Sequence, residues 1–477
     1  VALYDVAIVG AGPAGLFAAI SLAEEASRGK VKVIVFDEGP TASRRSCPMR
    51  VTGRCTNCRP CTLLQGIGGA GALSSGIINI RPDIGGDLHK LLGSWVEAQK
   101  LVESIDRVFL FFGAPRDRLF EPDPSKVAEL ERKAIRAGAK FIPIKQRHIG
   151  TENTAKIIEN IASYLIDHRV VLSPLTRVHY VEKKRNYYVL KTSRGEVEAK
   201  YVLLAPGRSG ATWLAEQARK LGLDTEPGPL DVGVRVEVPY TVMEPLTSVV
   251  RDPKVIFHTK TFDDRVRTFC TNYKGFVVKE VYDDGTVGVN GETYAYRESI
   301  NTNFAFLVTI KLTDPLEDAL DYGKSIARLA TKLGGGRPLL QRLGDLLSGR
   351  RSTWDRVDRS IVEPTLRDVV PGDIGMALPH RLLTDILEGL ERLDDLTPGV
   401  WSKHTLLYAP EIKYYSLRIR VNTKTMETNV DNLFVAGDGA GLSRGINIAA
   451  ATGYLAAQGI ASKLGLEPRL PELVGGE

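Results

Sequence analysis

Asp5-Val6-Ala7-Ile8-Val9-Gly10-Ala11-Gly12-Pro13-Ala14-Gly15 is the stretch that decides the fold. Asp5 to Val9 is a short β-branched apolar run closed by Gly10, which reads as a buried parallel strand. Leu16 to Arg28 continues with Ala- and Leu-rich helical spacing, and a second buried strand, Val31 to Phe36, ends at Asp37-Glu38-Gly39-Pro40. A pyrophosphate needs close backbone approach and the positive end of a helix. Gly10 supplies the tight turn, Gly12 the approach and Gly15 the helix–strand contact. Asp37 is placed to take the adenosine ribose hydroxyls, with Glu38 as the alternative one residue on. The glycines could merely pack a tight βα turn. The strand before them, the helix after them and the acid closing the next strand supply the context of a dinucleotide site.

Outward from that stretch, the chain has 477 residues, 43% hydrophobic and 25% charged, which are ordinary globular values. They exclude a disordered chain, a collagen-like fibre and a small disulfide scaffold. At about 150 residues per domain the length suggests roughly three domains. A net charge of +6 is too diffuse on so large a surface to imply nucleic-acid binding. Val1 to Asp5 leads into the first strand without a charged-then-apolar leader, and no apolar run reaches about 18 residues, so no membrane span and a cytoplasmic location are expected. In that compartment cysteines serve metals or catalysis more often than disulfides.

The coarse organisation is an α/β chain in which a Rossmann-like dinucleotide domain interleaves with a mixed α+β substrate domain. The expected pieces are 1–87 with a long Cys-, Arg- and Gly-rich loop, a helical insertion at 88–150, a return to the dinucleotide domain at 151–214, a substrate or cap domain at 215–410, and a last dinucleotide-domain piece at 411–477. Thr151 reads as a cap for the helix Ala155 to His168. Val170 to Ser173, Val178 to Lys183 and Tyr187 to Thr192 read as an antiparallel meander that returns through Glu196 to Leu204. Asn432 to Gly441 reads as a strand into a glycine turn, followed by a small-residue helix from Ile446 to Leu464.

Cys47, Cys55, Cys58 and Cys61 fall in one loop, the last three separated by two residues each, while Cys270 stands alone. Two-residue gaps of this kind match the wrapping of an iron–sulfur cubane, a [4Fe–4S] cluster with Cys47 as the upstream ligand. Zinc fits less well because zinc ribbons present two separated pairs. A metal-free loop is the third reading. Arg44, Arg45, Arg50, Arg54 and Arg59 would offset the charge of a four-thiolate centre.

Phe434-Val435-Ala436-Gly437-Asp438 is similar to the late strand of flavoproteins with two dinucleotide-binding domains. There the aspartate accepts a hydrogen bond from the ribityl chain. The resemblance implies FAD rather than NAD and gives Asp438 the ribityl role. Leu203 to Arg208 resembles the middle segment of the same proteins, which implies Ala205, Pro206 and Gly207 as cofactor contacts. Gly441 to Gly445 leads into a helix whose N–H groups can face the flavin pyrimidine. Through Cys47 to Gly76, His148 to Thr151, Asp231 to Glu237, Asn301 to Ala305, Thr405 to Lys413 and Asn432 to Gly453, nearly the whole chain resembles the uncharacterised FAD-dependent dehydrogenases of bacteria and archaea. The family implies a redox activity without a settled substrate. The expected FAD set is completed by Pro13, Ala14, Gly69, Gly71, Ala72, Val178, Gly437, Ser443, Gly445 and Ile446. Two departures are visible. Ser75 and Ile77 replace the family's acid and lysine, and Cys270-Thr271-Asn272 replaces its Cys-x-Cys, so those roles are not carried over.

No nucleophile–base constellation stands out. Tyr408, Glu411 and Lys413 form the densest ionisable set before the final strand and are candidates to line the flavin face, although alternation on a half-exposed strand explains the last two nearly as well. Arg444 is a candidate to stabilise reduced flavin. His148 and His404 read as structural. The expectation is an FAD-dependent oxidoreductase acting on a small molecule, with electrons arriving from the substrate, from transiently bound NAD(P)H or from a redox protein partner. The alternative is a flavin and iron–sulfur subunit that relays electrons to a protein partner.

Overall fold

Val6 to Val9, Val33 to Phe36 and Val202 to Leu204 are almost wholly buried apolar strands, and they form the centre of a parallel sheet. The computed structural model describes residues 2–52, 56, 58–74, 76–226, 228, 230–282, 284–294, 296–310, 319–414 and 417–472. Among these, seven strands make the first sheet, in the order Val171–Ser173, Val33–Phe36, Ala2–Val9, Gly195–Leu204, Tyr188–Thr192, Val178–Lys183, with Leu433–Val435 also paired to Gly195–Leu204. Val202 thus lies between Ala7 and Leu433, so the first, middle and last parts of the chain share one sheet. The first helix, Pro13–Ser27, and the last, Ile446–Leu464, pack against each other on one of its faces. Gly453 permits that approach, because a Cβ there would stand 1.9 Å from the carbonyl oxygen of Ala14.

The meander is one strand shorter than the sequence suggests. Val171–Ser173 runs parallel to Val33–Phe36 at the opposite edge of the sheet. The helix Thr151–Asp167 is the crossover that carries the chain there, as parallel pairing requires. That helix also starts earlier than expected. Gly150 is its N-cap residue, and Thr151 lies in the first turn, its hydroxyl donating to the carbonyl of Thr293 at 2.9 Å.

A second sheet of eight strands runs Val370–Pro371, Leu339–Arg342, Leu406–Tyr414, Leu230–Pro239, Asn301–Ile310, Arg265–Asn272, Lys254–His258, Ala139–Ile142. The edge strand Ala139–Ile142 comes from the segment expected to be a helical insertion, and Leu406–Tyr414 crosses the boundary expected at 410. Leu230–Pro239 alternates strictly. Val232, Val234, Val236 and Val238 enter an apolar core with Leu382, Ile386 and Leu390 of the helix His380–Leu393. Asp231, Arg235 and Glu237 point to the other face, and they too are buried. The hairpin Phe276–Val281 with Val287–Glu292 covers that polar face. Among the described residues no helix is long and apolar enough to cross a membrane.

Asp385, on the helix His380–Leu393, is fully buried and accepts a hydrogen bond from the Thr259 hydroxyl at 2.7 Å. Burial, reinforced by the neighbouring Asp264 carboxylate, lifts its pKa to about 6. The folded chain therefore holds this proton more tightly than the unfolded chain does. The stability it contributes is present below the unfolded pKa and is lost as pH rises toward 6. Asp385→Asn should melt like the wild type near about pH 4 and above it near about pH 7, because only the wild type then carries a buried charge. Calorimetric melting curves at both pH values check this, and a difference that does not change with pH would refute it.

Candidate functional site

At the first glycine turn backbone meets backbone. Gly10 has φ +101°, and a Cβ on it would lie 2.1 Å from the carbonyl oxygen of Ala205. A Cβ on Gly15 would lie 1.9 Å from the carbonyl oxygen of Gly10. The first helix then begins at Pro13 with Gly12 as N-cap and no side chain capping it. The last helix begins at Ile446 with Gly445 as N-cap, again with no side-chain cap. A helix start leaves N–H groups without intrahelical partners and carries partial positive charge, so both ends are suited to an anion. Gly68–Gly71 lies between them. A Cβ on Gly69 would stand 2.9 Å from the Gly12 Cα, and one on Gly71 would touch both Ile446 and Pro13. A small cavity of about 20 Å³ opens beside Pro13, Gly71 and Ile446, lined almost wholly by apolar side chains. Ala14 is buried at the crossing with Gly453, and Ala72 is fixed by the Thr154 hydroxyl on its carbonyl at 2.6 Å.

Asp37 turns its carboxylate back toward the turn, accepting from the N–H of Ala11 at 3.0 Å and of Gly39 at 2.9 Å. Burial raises its pKa against the pull of those donors. Each carboxylate oxygen has a second lone pair, which leaves acceptor capacity for a hydroxyl. Glu38 points elsewhere, taking the Gln65 amide at 2.5 Å. Leu175 and Thr176 donate their N–H groups to the carbonyls of Gly39 and Asp37, which draws Val178 to the same end of the sheet.

At the other end, Asp438 follows Gly437, whose φ of +80° suits glycine. Its carboxylate accepts from Ser443 Oγ at 2.5 Å and lies 3.4 Å from Arg208 Nε. Pro206-Gly207 packs close by, and a Cβ on Gly439 would meet the Gly207 carbonyl oxygen at 2.4 Å. Asn447, in the first turn of the last helix, donates to the carbonyl of Asn79. The structure therefore brings four separated segments together: 10–15 with 37, 66–72, 205–207 and 437–447. Asn447 carried no signal in the sequence, since its partner is a backbone carbonyl more than 300 residues away.

The cysteine loop is organised by an arginine. Arg45 is buried and donates to four carbonyls, those of Thr62 at 2.9 Å, Leu63 at 2.9 Å, Ile67 at 3.1 Å and Gly69 at 2.7 Å. Among the described residues no three His, Cys, Asp or Glu side chains converge on one point. The four-cysteine ligand set is thus not assembled here from Cys47, Cys58 and Cys61, and Cys55 lies outside the described residues. The Cys61 N–H donates to Gln65, which in turn holds Glu38, so Cys61 lies toward the Asp37 end.

The ionisable set at Tyr408, Glu411 and Lys413 is buried rather than half-exposed. Tyr408 donates to Glu237 at 2.5 Å, and Glu237 also accepts from Thr365 and Asn301. Glu411 pairs with Arg235 through both oxygens, at 2.7 and 3.1 Å, and with Lys413 at 2.8 Å. Arg235 also donates to Asn303 and to the carbonyl of Cys270. Asp231 pairs with Arg267 at 2.5 Å. Burial alone would raise the Asp231 pKa, but Arg267, Thr309 and Arg444 outweigh it and hold it low. Arg444 thus ties the start of the last helix electrostatically to the polar face of the second sheet. The alternation Asp231-Val-Gly-Val-Arg235-Val-Glu237 was the available signal for this network.

Residues 5–46 match the family described as FAD binding domain, and residues 229–414 match the family described as FAD-dependent protein, C-terminal domain-like. An uncharacterized protein of Clostridium beijerinckii is 24% identical over 490 residues, an alignment that takes in 96% of this chain and 81% of that protein. Among solved structures, glycine oxidase from Geobacillus kaustophilus is similar at 14% identity and a TM-score of 0.41, covering 96% of this chain and 95% of that one. The L-amino acid deaminase of Proteus vulgaris is similar at 12% identity and a TM-score of 0.41, covering 98% of this chain and 92% of that one.

Replacing Arg45 by methionine removes the donor from four carbonyls beside the 66–71 segment. Arg45→Met should weaken FAD binding by about 10- to 100-fold, given about 1.5–3 kcal/mol for a charged hydrogen bond. Quenching of FAD fluorescence on titration with protein measures this. Unchanged affinity would show that the web does not position that segment.

Proposed function

For a chain that joins an FAD binding domain to an FAD-dependent C-terminal-like domain, an FAD-dependent oxidoreductase, we propose two-electron transfer between the flavin and a small molecule held against the polar face of the second sheet. The observation that carries this reading is the meeting of two uncapped helix starts, at Gly12 and Gly445, across the 66–71 segment. The start of the first helix suits the pyrophosphate, Asp37 the adenosine ribose and Asp438 the ribityl chain. When bound there, FAD supplies an acceptor for a hydride or an electron pair.

The chain's own residues then have distinct tasks. N–H groups at Ile446 and Asn447, with Arg444 beside them, would stabilise negative charge on a ligand held at that helix start. Asp231 pairs with Arg267, and Glu411 bridges Arg235 and Lys413, so this group of ion pairs carries one positive charge in excess. The hairpin Phe276–Val281 with Val287–Glu292 excludes water from that face. Electrons come from the substrate or from a nicotinamide bound transiently, since the single glycine fingerprint is taken by the flavin. A relay to an iron–sulfur partner has no support in the described residues of the cysteine loop.

The test is anaerobic titration of the FAD-loaded protein with NADH, NADPH and a panel of small alcohols, amines and 2-hydroxy and 2-amino acids. At least one should bleach the visible flavin band by two electrons within the time of a turnover. A flavin that dithionite reduces but no member of either group does would overturn the proposal.

A further inference from the structure

The small sheet of Ile77–Asn79, Gln146–His148 and Leu119–Phe120 has one face turned inward, where Arg147 pairs with Asp106 at 2.8 Å. Its other face carries side chains that the flavin site does not use. Phe120 is the register partner of Gln146, and the His148 N–H donates to the carbonyl of Arg118 at 3.0 Å. Residues paired across antiparallel strands, and those two apart on one strand, share a face. Arg118, Phe120, Gln146 and His148 therefore lie on one face. The segment at Arg251 and Asp252 crosses over it. Gln146 accepts from the Asp252 N–H at 2.9 Å, and the Arg251 guanidinium stacks on Phe120 and on Tyr273, 4.6 Å from each ring centre.

This arrangement collects positive charge around a buried donor. Arg118 Nη2 lies 2.9 Å from His148 Nδ1. A guanidinium can only donate, so Nδ1 accepts and the imidazole proton resides on Nε2. His148 is 6% exposed, and its Nε2 has no hydrogen-bond partner among the described residues. Burial, with the charges of Arg118 and Arg251, pushes its pKa down to about 3, so the ring is a neutral Nε2–H donor at working pH. Glu298, the carboxylate whose charge acts on Arg251, pairs with Lys274 at 2.9 Å and is more than half exposed. Arg118 on this face and Arg251 on the segment above it set positive charge beside an imidazole N–H that has no acceptor among the described residues, a combination that suits an oxyanion.

We propose that Arg118, Arg251 and the Nε2–H of His148 form a binding site for an oxyanion, the carboxylate or phosphate of a small-molecule substrate. The same strands lead to the flavin end. Gln146 donates to Asn79 Oδ1, and the Asn79 carbonyl is held by Asn447 in the first turn of the last helix. An anionic group anchored at Arg251 would hold the rest of an acidic substrate toward that helix start. This second step rests on the redox reading above, whereas the anion site itself does not.

The experiment titrates the protein with acetate, benzoate and inorganic phosphate by calorimetry, once FAD-loaded and once FAD-free, while visible spectra of the loaded sample follow the flavin. Wild-type protein should bind a carboxylate or phosphate. Arg251→Gln and Arg118→Gln should each weaken that binding by about tenfold or more, and Lys184→Gln, an exposed control, should not. Preference for benzoate and acetate over phosphate would identify a carboxylate substrate, and the reverse a phosphorylated one. Histidine ¹⁵N spectra of the wild type supply a measurement that needs no variant, since the His148 Nε2–H signal should shift with the probe. Binding that survives both arginine substitutions, or a His148 signal that no probe moves, overturns the site. A probe that binds while the protein takes up no FAD leaves the site standing and defeats the redox reading instead. A flavin spectrum unmoved by a bound probe removes only the link between the two.

Discussion

Contact between backbones that tolerate no Cβ is the constraint on which the molecule depends. At Gly10, Gly15 and Gly453 an added Cβ would lie about 2 Å from a carbonyl oxygen, and at Gly69 under 3 Å from another α-carbon. Two of these contacts, Gly10 with Ala205 and Gly453 with Ala14, join segments far apart in the chain. Together the contacts bring two helix starts and a glycine-rich loop close enough for one extended ligand to touch all three. Because the surfaces in contact are peptide groups, the site is rich in N–H donors and poor in side chains, which is what a pyrophosphate and a flavin edge require.

The second sheet solves a different problem. One face is ordinary apolar core, while the other buries Asp231, Arg235, Glu237, Glu411 and Lys413. Buried charge is costly unless every member is matched, and here the matching is close: Arg235 with both oxygens of Glu411, Asp231 with Arg267, Glu237 with a tyrosine, a threonine and an asparagine. Such a network gives little net stability but fixes orientation, which suits the substrate-facing role proposed for this surface.

The flavin half was legible in the sequence because its signals are local. The run Asp5 to Gly15, the acid after the next strand and the helix Ile446–Leu464 each announce themselves by period and glycine placement. The polar sheet face was half legible. Alternation in Asp231 to Glu237 predicts a strand, but not that both its faces are buried, since that depends on a hairpin from elsewhere. Val171–Ser173 was placed in the wrong neighbourhood because a three-residue apolar run does not say which strand it will join. Arg45 looked like a counter-charge for thiolates, and its real partners, four loop carbonyls, have no sequence signature. The cluster at Arg118, His148 and Arg251 was invisible for a similar reason, being assembled from three stretches that only the register of a small sheet brings together.

The central claim is that four separated segments make one FAD site. Hydrogen–deuterium exchange with and without FAD tests it most directly. Protection on loading should appear together at 10–15, 66–73, 205–210 and 437–447, with the onset of the last helix among the most strongly protected. Protection confined to 10–15 and 37–39, with the 437–447 segment exchanging as before, would mean that only the adenosine end is bound and would contradict the account.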